Sequence, residues 1–174
     1  MAPAESASLQ ERKADGGDLG RDLVASLFCM ATERTANVVW HGGLTDGSGT
    51  ITHTTTGAIG EQPVSWAARS EDPRAGLTSP EELIAAAHAA CFSMALSAGL
   101  AKAGTPPEEL ATSATVTFQP GEGITKIALT VEGNVPGMDG DAFRDAAETA
   151  KSNCPVSKAL AGVPEISLDA RLAA

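Results

Sequence analysis

The chain contains no tyrosine, and aromatic residues make up only 3% of its 174 residues. A core built from large rings is therefore excluded. The apolar fraction of 43% rests heavily on alanine, so the chain packs around small side chains. Association with a partner subunit would add to so modest a core. Cysteine is also scarce. Cys29, Cys91 and Cys154 are too few for a secreted disulfide scaffold, and no C-x-x-C pair is present. Basic residues are outnumbered, 12 against 22 acidic ones, for a formal charge of −10. That balance argues against nucleic acid and anionic membrane surfaces as partners and fits a soluble cytoplasmic protein. The longest apolar run, Leu83 to Leu100, approaches the length of a membrane span. However, it is alanine-rich, carries His88, Ser93 and Ser97, and begins at an acidic cap, so no membrane partner is expected.

What remains is one domain with a polar leader. Residues 1–31 read as a disordered extension or a misplaced start, with Met30 as an alternative first residue, and residues 32–174 as the domain. Cys29 falls in the leader and receives no role. Short β segments are expected at Val38–Trp40, Thr50–Thr56 and Gln62–Ala68, the last leading to Arg69 at a strand end. Trp40 and Trp66 read as strand core residues. A polar loop spans Ser70–Thr78. Ser113–Gln119 and Ile124–Glu132 pair as a hairpin across the PGEG turn. A helix follows, capped near Asp139 or Asp141. Pro155 breaks it and opens a short helix, PVSKALAG, and Glu165–Leu172 alternates as a last strand. The order is β-β-β-α-β-β-α-α-β, an α+β pattern in which sheets wrap a buried helix.

The central helix is the best-signposted element. Ser79 is placed to cap it, Pro80 suits its first turn, and Glu82 completes an S-x-x-E box. Lys102, Gly104 and Pro106 mark its end. Between these signals nearly every position is apolar or small, which predicts burial on all faces. His88 and Cys91 sit in its middle, one turn apart.

A buried cysteine is usually a small hydrophobe. Cys91 lies 12 residues past the cap, about 18 Å at the standard rise, so the helix dipole cannot activate it. A cation from elsewhere in the fold would have to do so. Cys154 precedes Pro155 and can feel the amides of the short helix, which on local grounds makes it the more acidic thiol. His88 and Cys91 could form a nucleophile–base pair or two metal ligands. The alternative is a buried histidine bonded to backbone. A metal site would further need His41 or His53 to converge. Glu81 and Glu82 read as a solvated first turn, and Arg69 as an exposed charge, unless the fold recruits them.

The segments PEELIAAAHAACFSMAL (Pro80–Leu96), ITKIAL (Ile124–Leu129) and NCPVSKAL (Asn153–Leu160), in this order, resemble the OsmC branch of the OsmC/Ohr family. The resemblance covers about Arg34 to Leu172. It implies an OsmC-like fold, an intertwined homodimer whose antiparallel sheets wrap buried central helices, with active sites at the subunit interface. The implied activity is a thiol peroxidase reducing organic hydroperoxides, and hydrogen peroxide less well. Cys91 then matches the peroxidatic cysteine, Cys154 the resolving one, Arg69 the activating arginine, and Glu81 the glutamate that orients it. No metal or bound organic cofactor is implied, only an external thiol reductant, often of the dihydrolipoamide type. Helix geometry adds that Glu81, about 15 Å from Cys91 along the axis, should meet Arg69 at a site built with the partner subunit. Two alternatives are a Cys-His thiol hydrolase using Cys91 and His88, and a non-enzymatic, hydrophobe-binding dimer.

Overall fold

A computed structural model describes residues 31–70 and 76–173. The expected extension up to Met30, with Cys29, lies outside the described residues, as does the centre of the loop after Ser70.

Two three-stranded sheets carry the fold. The first has the order β1-β2-β3, with β1 at Ala36–His41, β2 at Ser48–Thr54 and β3 at Gln62–Val64, all antiparallel. The second has the order β4-β5-β6, with β4 at Glu109–Gln119, β5 at Gly123–Asn134 and β6 at Glu165–Leu172. Four helices are described: α1 at Trp66–Ser70, α2 at Pro80–Lys102, α3 at Gly140–Asn153 and α4 at Pro155–Ala159.

Three expectations are corrected. The third strand stops at Val64 rather than Ala68, because Ser65 caps a short helix through its hydroxyl, which accepts from the Ala68 N–H at 3.1 Å. Arg69 therefore sits on α1, not at a strand end, and α1 is an extra element in the order. The second sheet is mixed, since β6 runs parallel to β5 from Lys126↔Glu165 to Gly133↔Leu172. The intervening α3 and α4 form a crossover, which returns the chain in the same direction. Finally, α2 buries one face, not all of them. Glu81, His88, Phe92, Leu96 and Leu100 are buried at helical spacing, whereas Met94 on another face is 68% exposed.

Ser79 caps α2 as the sequence specifies, whereas Glu82 closes no reciprocal capping box and turns to Thr78 instead. The Ser79 hydroxyl accepts from the Glu82 N–H at 3.2 Å, and the Glu82 carboxylate accepts from the Thr78 hydroxyl at 2.7 Å. At the other end, Gly104 adopts φ 88°. That lets Thr105 N–H reach Leu100 O at 3.0 Å and Gly104 N–H reach Ala101 O at 3.1 Å. The core joins the buried face of α2 to Leu129 and Val131 of β5 and to Phe143, Ala147 and Ala150 of α3. Asp139 caps α3, accepting from Asp141 N–H and Ala142 N–H. Phe143 lies so close over β5 that a Cβ at Gly133 would meet its ring at 2.5 Å. By contrast β1 is exposed along its whole length, including Val38, Val39 and Trp40, so Trp40 is not a core residue.

Candidate active site

The middle of α2 and the α3–α4 junction bring two thiols together. Cys154 ends α3, its N–H donating to Ala150 O at 2.8 Å, and it begins α4, its carbonyl accepting from Lys158 N–H at 3.0 Å. Its ψ of 121° is the extended conformation that a following proline imposes. Pro155 thus turns the chain so that the first amides of α4 face the Cys154 sulfur. Cys154 is fully buried and Cys91 half-buried, and both are free thiols packed together in the core, each within reach of the other's charge.

Their environments differ. Burial pushes the Cys91 thiol up, the Cys154 sulfur adds to that, and only a backbone hydrogen bond from Val156 opposes it. Burial also opposes the Cys154 thiolate, but it is outweighed by the N–H and hydroxyl of Ser157, the Cys91 thiol and the Val156 amide. Cys154 is therefore held below the usual cysteine range, as its place before Pro155 led us to expect.

His88 points at neither cysteine among the contacts described. Its Nε2 lies 2.8 Å from Ser157 Oγ, so its partner is a side chain and not backbone. Burial lowers its pKa and favours the neutral ring. His41 and His53 lie in the first sheet, and no group of residues that could hold a metal occurs among the described residues.

Arg69 and Glu81 form a second centre at the start of α2. Glu81 is buried, not a solvated first-turn carboxylate, and its Oε1 accepts from Arg69 Nε at 3.0 Å and Nη2 at 2.9 Å. The guanidinium lies 4.0 Å from the ring centre of Phe118 and 5.9 Å from that of Trp66, whose rings meet edge to face. Trp66 thus supports the arginine from α1 rather than filling a strand core. A cavity of about 700 Å³ opens beside Glu81, its lining mixing Leu77, Ala85 and Val116 with Ser79, Glu82 and Thr115. The pair is intrachain, yet ten residues of helix, about 15 Å, separate Glu81 from Cys91 of the same chain. The structure therefore joins Cys91 with Cys154, and Arg69 with Glu81, as two separate centres. Sequence reasoning missed Ser157 and Phe118. The signal for Ser157 was its position three residues after a capping cysteine; for Phe118, only its place in an alternating strand.

A family profile described as OsmC-like protein matches residues 73–169. The chain is 42% identical over 146 residues to "Peroxiredoxin OsmC" of Escherichia coli K12, covering 82% of this chain and 99% of that protein. The protein of the same name from Shigella flexneri matches equally well. Among solved structures, an OsmC-like protein from Mycoplasma pneumoniae superposes with a TM-score of 0.62 at 17% identity, covering 83% of this chain and 100% of that one. An organic hydroperoxide resistance protein from Elizabethkingia anophelis gives 0.58 at 24%, covering 82% and 100%. These two share the fold.

Two touching thiols on this scaffold, together with that peroxiredoxin relative, define the class as a thiol-dependent peroxidase. The chain belongs to the OsmC family.

Proposed function

We propose that the protein reduces organic hydroperoxides through a two-cysteine cycle, with Cys91 as the peroxidatic and Cys154 as the resolving thiol. The observation that carries this is the contact between the two free thiols where α2 meets the α3–α4 junction. The Cys91 thiolate attacks the O–O bond and becomes a sulfenic acid, while the alkoxide leaves and takes up the proton that the Cys91 thiol had released, giving the alcohol. Cys154 condenses with it to a disulfide and water. An external dithiol of the lipoyl type then restores both thiols by exchange.

Cys91 needs a cation, because its own chain raises its pKa. The Arg69–Glu81 pair is the fitting source, yet it sits about 15 Å along α2 from Cys91 of its own chain. In a homodimer, Arg69 and Glu81 of one subunit complete the site at Cys91 of the other. The exposed Met94 face of α2 and the uncovered strand β1 support such an intertwined pair, since an apolar helix face needs a cover. At about 4 Å and an effective dielectric near 20, Arg69 offers roughly 4 kcal/mol to the thiolate before desolvation. The cavity of about 700 Å³ beside Glu81, where Leu77, Ala85 and Val116 face Ser79, Glu82 and Thr115, has room for a bulky hydroperoxide. The acidic chain fits a cytoplasmic setting.

Steady-state consumption of cumene hydroperoxide with a dithiol reductant tests the proposal. Turnover is expected in the wild type, none in Cys91→Ser, and a single unrepeated oxidation in Cys154→Ser. Full turnover in Cys91→Ser would refute the assignment.

A further inference from the structure

The bond between His88 and Ser157 joins residues 69 positions apart and belongs to neither centre described above. His88 is 0% exposed and Ser157 8%, so a polar pair has been taken out of water inside an apolar core. Ser157 is the third residue of α4, the helix that Cys154 caps, and both its N–H and its hydroxyl favour the Cys154 thiolate. A continuous polar path therefore runs from the imidazole of α2 through Ser157 of α4 to Cys154.

The direction of that path follows from the other ring nitrogen. His88 Nδ1 is buried and has no hydrogen-bond partner among the described residues. An unpaired buried N–H is rarer than an under-used acceptor, so the neutral ring places its proton on Nε2. Nε2–H then donates to Ser157 Oγ, which turns the serine hydroxyl hydrogen toward sulfur. The donors of this chain run toward the start of α4, beside Cys154, an arrangement that favours an anion there.

We infer that His88 and Ser157 are positioning residues that hold Cys154 as an aimed thiolate for attack on oxidised Cys91. This rests on the two-cysteine reading above. In the step they serve, the Cys154 thiolate attacks the sulfenic sulfur of Cys91 and the S–S bond forms as the S–O bond breaks. Cys154 is oxidised, the Cys91 sulfur is reduced, and the oxygen leaves as hydroxide, which takes up the proton that Cys154 released and becomes water.

Other ionisable groups on the packed elements do not substitute for this pair. On α2, Glu81 is held by Arg69, Glu82 accepts from Thr78 and Lys102 is exposed at the far end, which leaves Cys91 and His88 itself. On α3, Lys151 is held by Glu148 at 2.7 Å, and on α4, Lys158 does not contribute to the balance at Cys154. On β6, Glu165 is paired with Lys126 and Asp169 lies near Arg171, both at exposed positions.

The test follows Cys91–Cys154 disulfide formation after one equivalent of cumene hydroperoxide, by rapid quench and peptide mass spectrometry, across the pH range around the usual thiol pKa. Full-length wild type is compared with Ser157→Ala, Ser157→Thr, His88→Leu and His88→Gln. Ser157→Ala and His88→Leu should move the pH midpoint up by about one unit. At neutral pH they should slow disulfide formation about tenfold relative to hydroperoxide consumption. Ser157→Thr keeps the hydroxyl and His88→Gln keeps an N–H donor, so both should retain most of the wild-type profile. An unshifted profile in Ser157→Ala, which removes a single oxygen and should fold, overturns the inference. A wild type that consumes hydroperoxide without forming this disulfide overturns the two-cysteine reading instead.

Discussion

Arg69 grips a single oxygen of Glu81, through Nε at 3.0 Å and Nη2 at 2.9 Å, while its guanidinium rests 4.0 Å over Phe118. The arginine is thereby fixed from two sides, by a buried carboxylate and by an aromatic face. Replacing it with methionine keeps the packing stem and removes the charge. A nearby cation shifts a thiol by about one to three units, so Arg69→Met should lower kcat/KM for cumene hydroperoxide between about tenfold and a thousandfold. Unchanged kinetics in Arg69→Met would remove Arg69 from the site.

Met94 reports on assembly. It is 68% exposed on an otherwise small-residue helix face, where a charge costs a monomer little but opposes a covered interface. Analytical ultracentrifugation should find a dimer for the wild type and a shift toward monomer for Met94→Lys, with peroxidase activity falling in parallel. A fully active monomer would contradict the shared site.

The buried imidazole makes stability depend on pH. The folded-state pKa of His88 lies below its ordinary value of 6.5, chiefly because burial disfavours the charged ring. The unfolded chain therefore binds more protons between the two values, and stability rises with pH across that window. The contribution is complete above pH 6.5 and is lost as pH falls toward the folded-state pKa. Urea unfolding at successive pH values should show this loss in the wild type and a shallower one in His88→Gln. Equal slopes would mean that His88 is not held neutral.

Gly133 and Phe143 set the seat of α3. A Cβ at position 133 would come within 2.5 Å of the Phe143 ring, so Gly133→Ala should destabilise by about 1–3 kcal/mol. Phe143→Leu in the same chain should recover part of the strain. Simple additivity of the two losses would show that they do not meet.

What the sequence disclosed depended on how local the physics was. The caps of α2, Asp139 ahead of α3 and the break at Pro155 are set by neighbouring residues, and all are present. The direction of β6 was not legible, because alternation fixes which side faces the core but not whether a strand runs parallel. Helix α1 was too short to show a period, and Ser65 was its only signal. The all-round apolar character of α2 predicted full burial, but a single chain covers only one face of it. The Cys91–Cys154 contact spans 63 residues, from 91 to 154, and was reached through family likeness, since no local pattern encodes it. Ser157 became visible only when His88 was seen beside it.

The account stands most directly on the chemistry of the two thiols. Reduced protein treated with one equivalent of cumene hydroperoxide should yield, by non-reducing peptide mass mapping, a Cys91–Cys154 crosslink with loss of two hydrogens. The Cys154→Ser variant should instead give a dimedone adduct at Cys91. Consumption of the peroxide with Cys91 left as a free thiol would contradict the account.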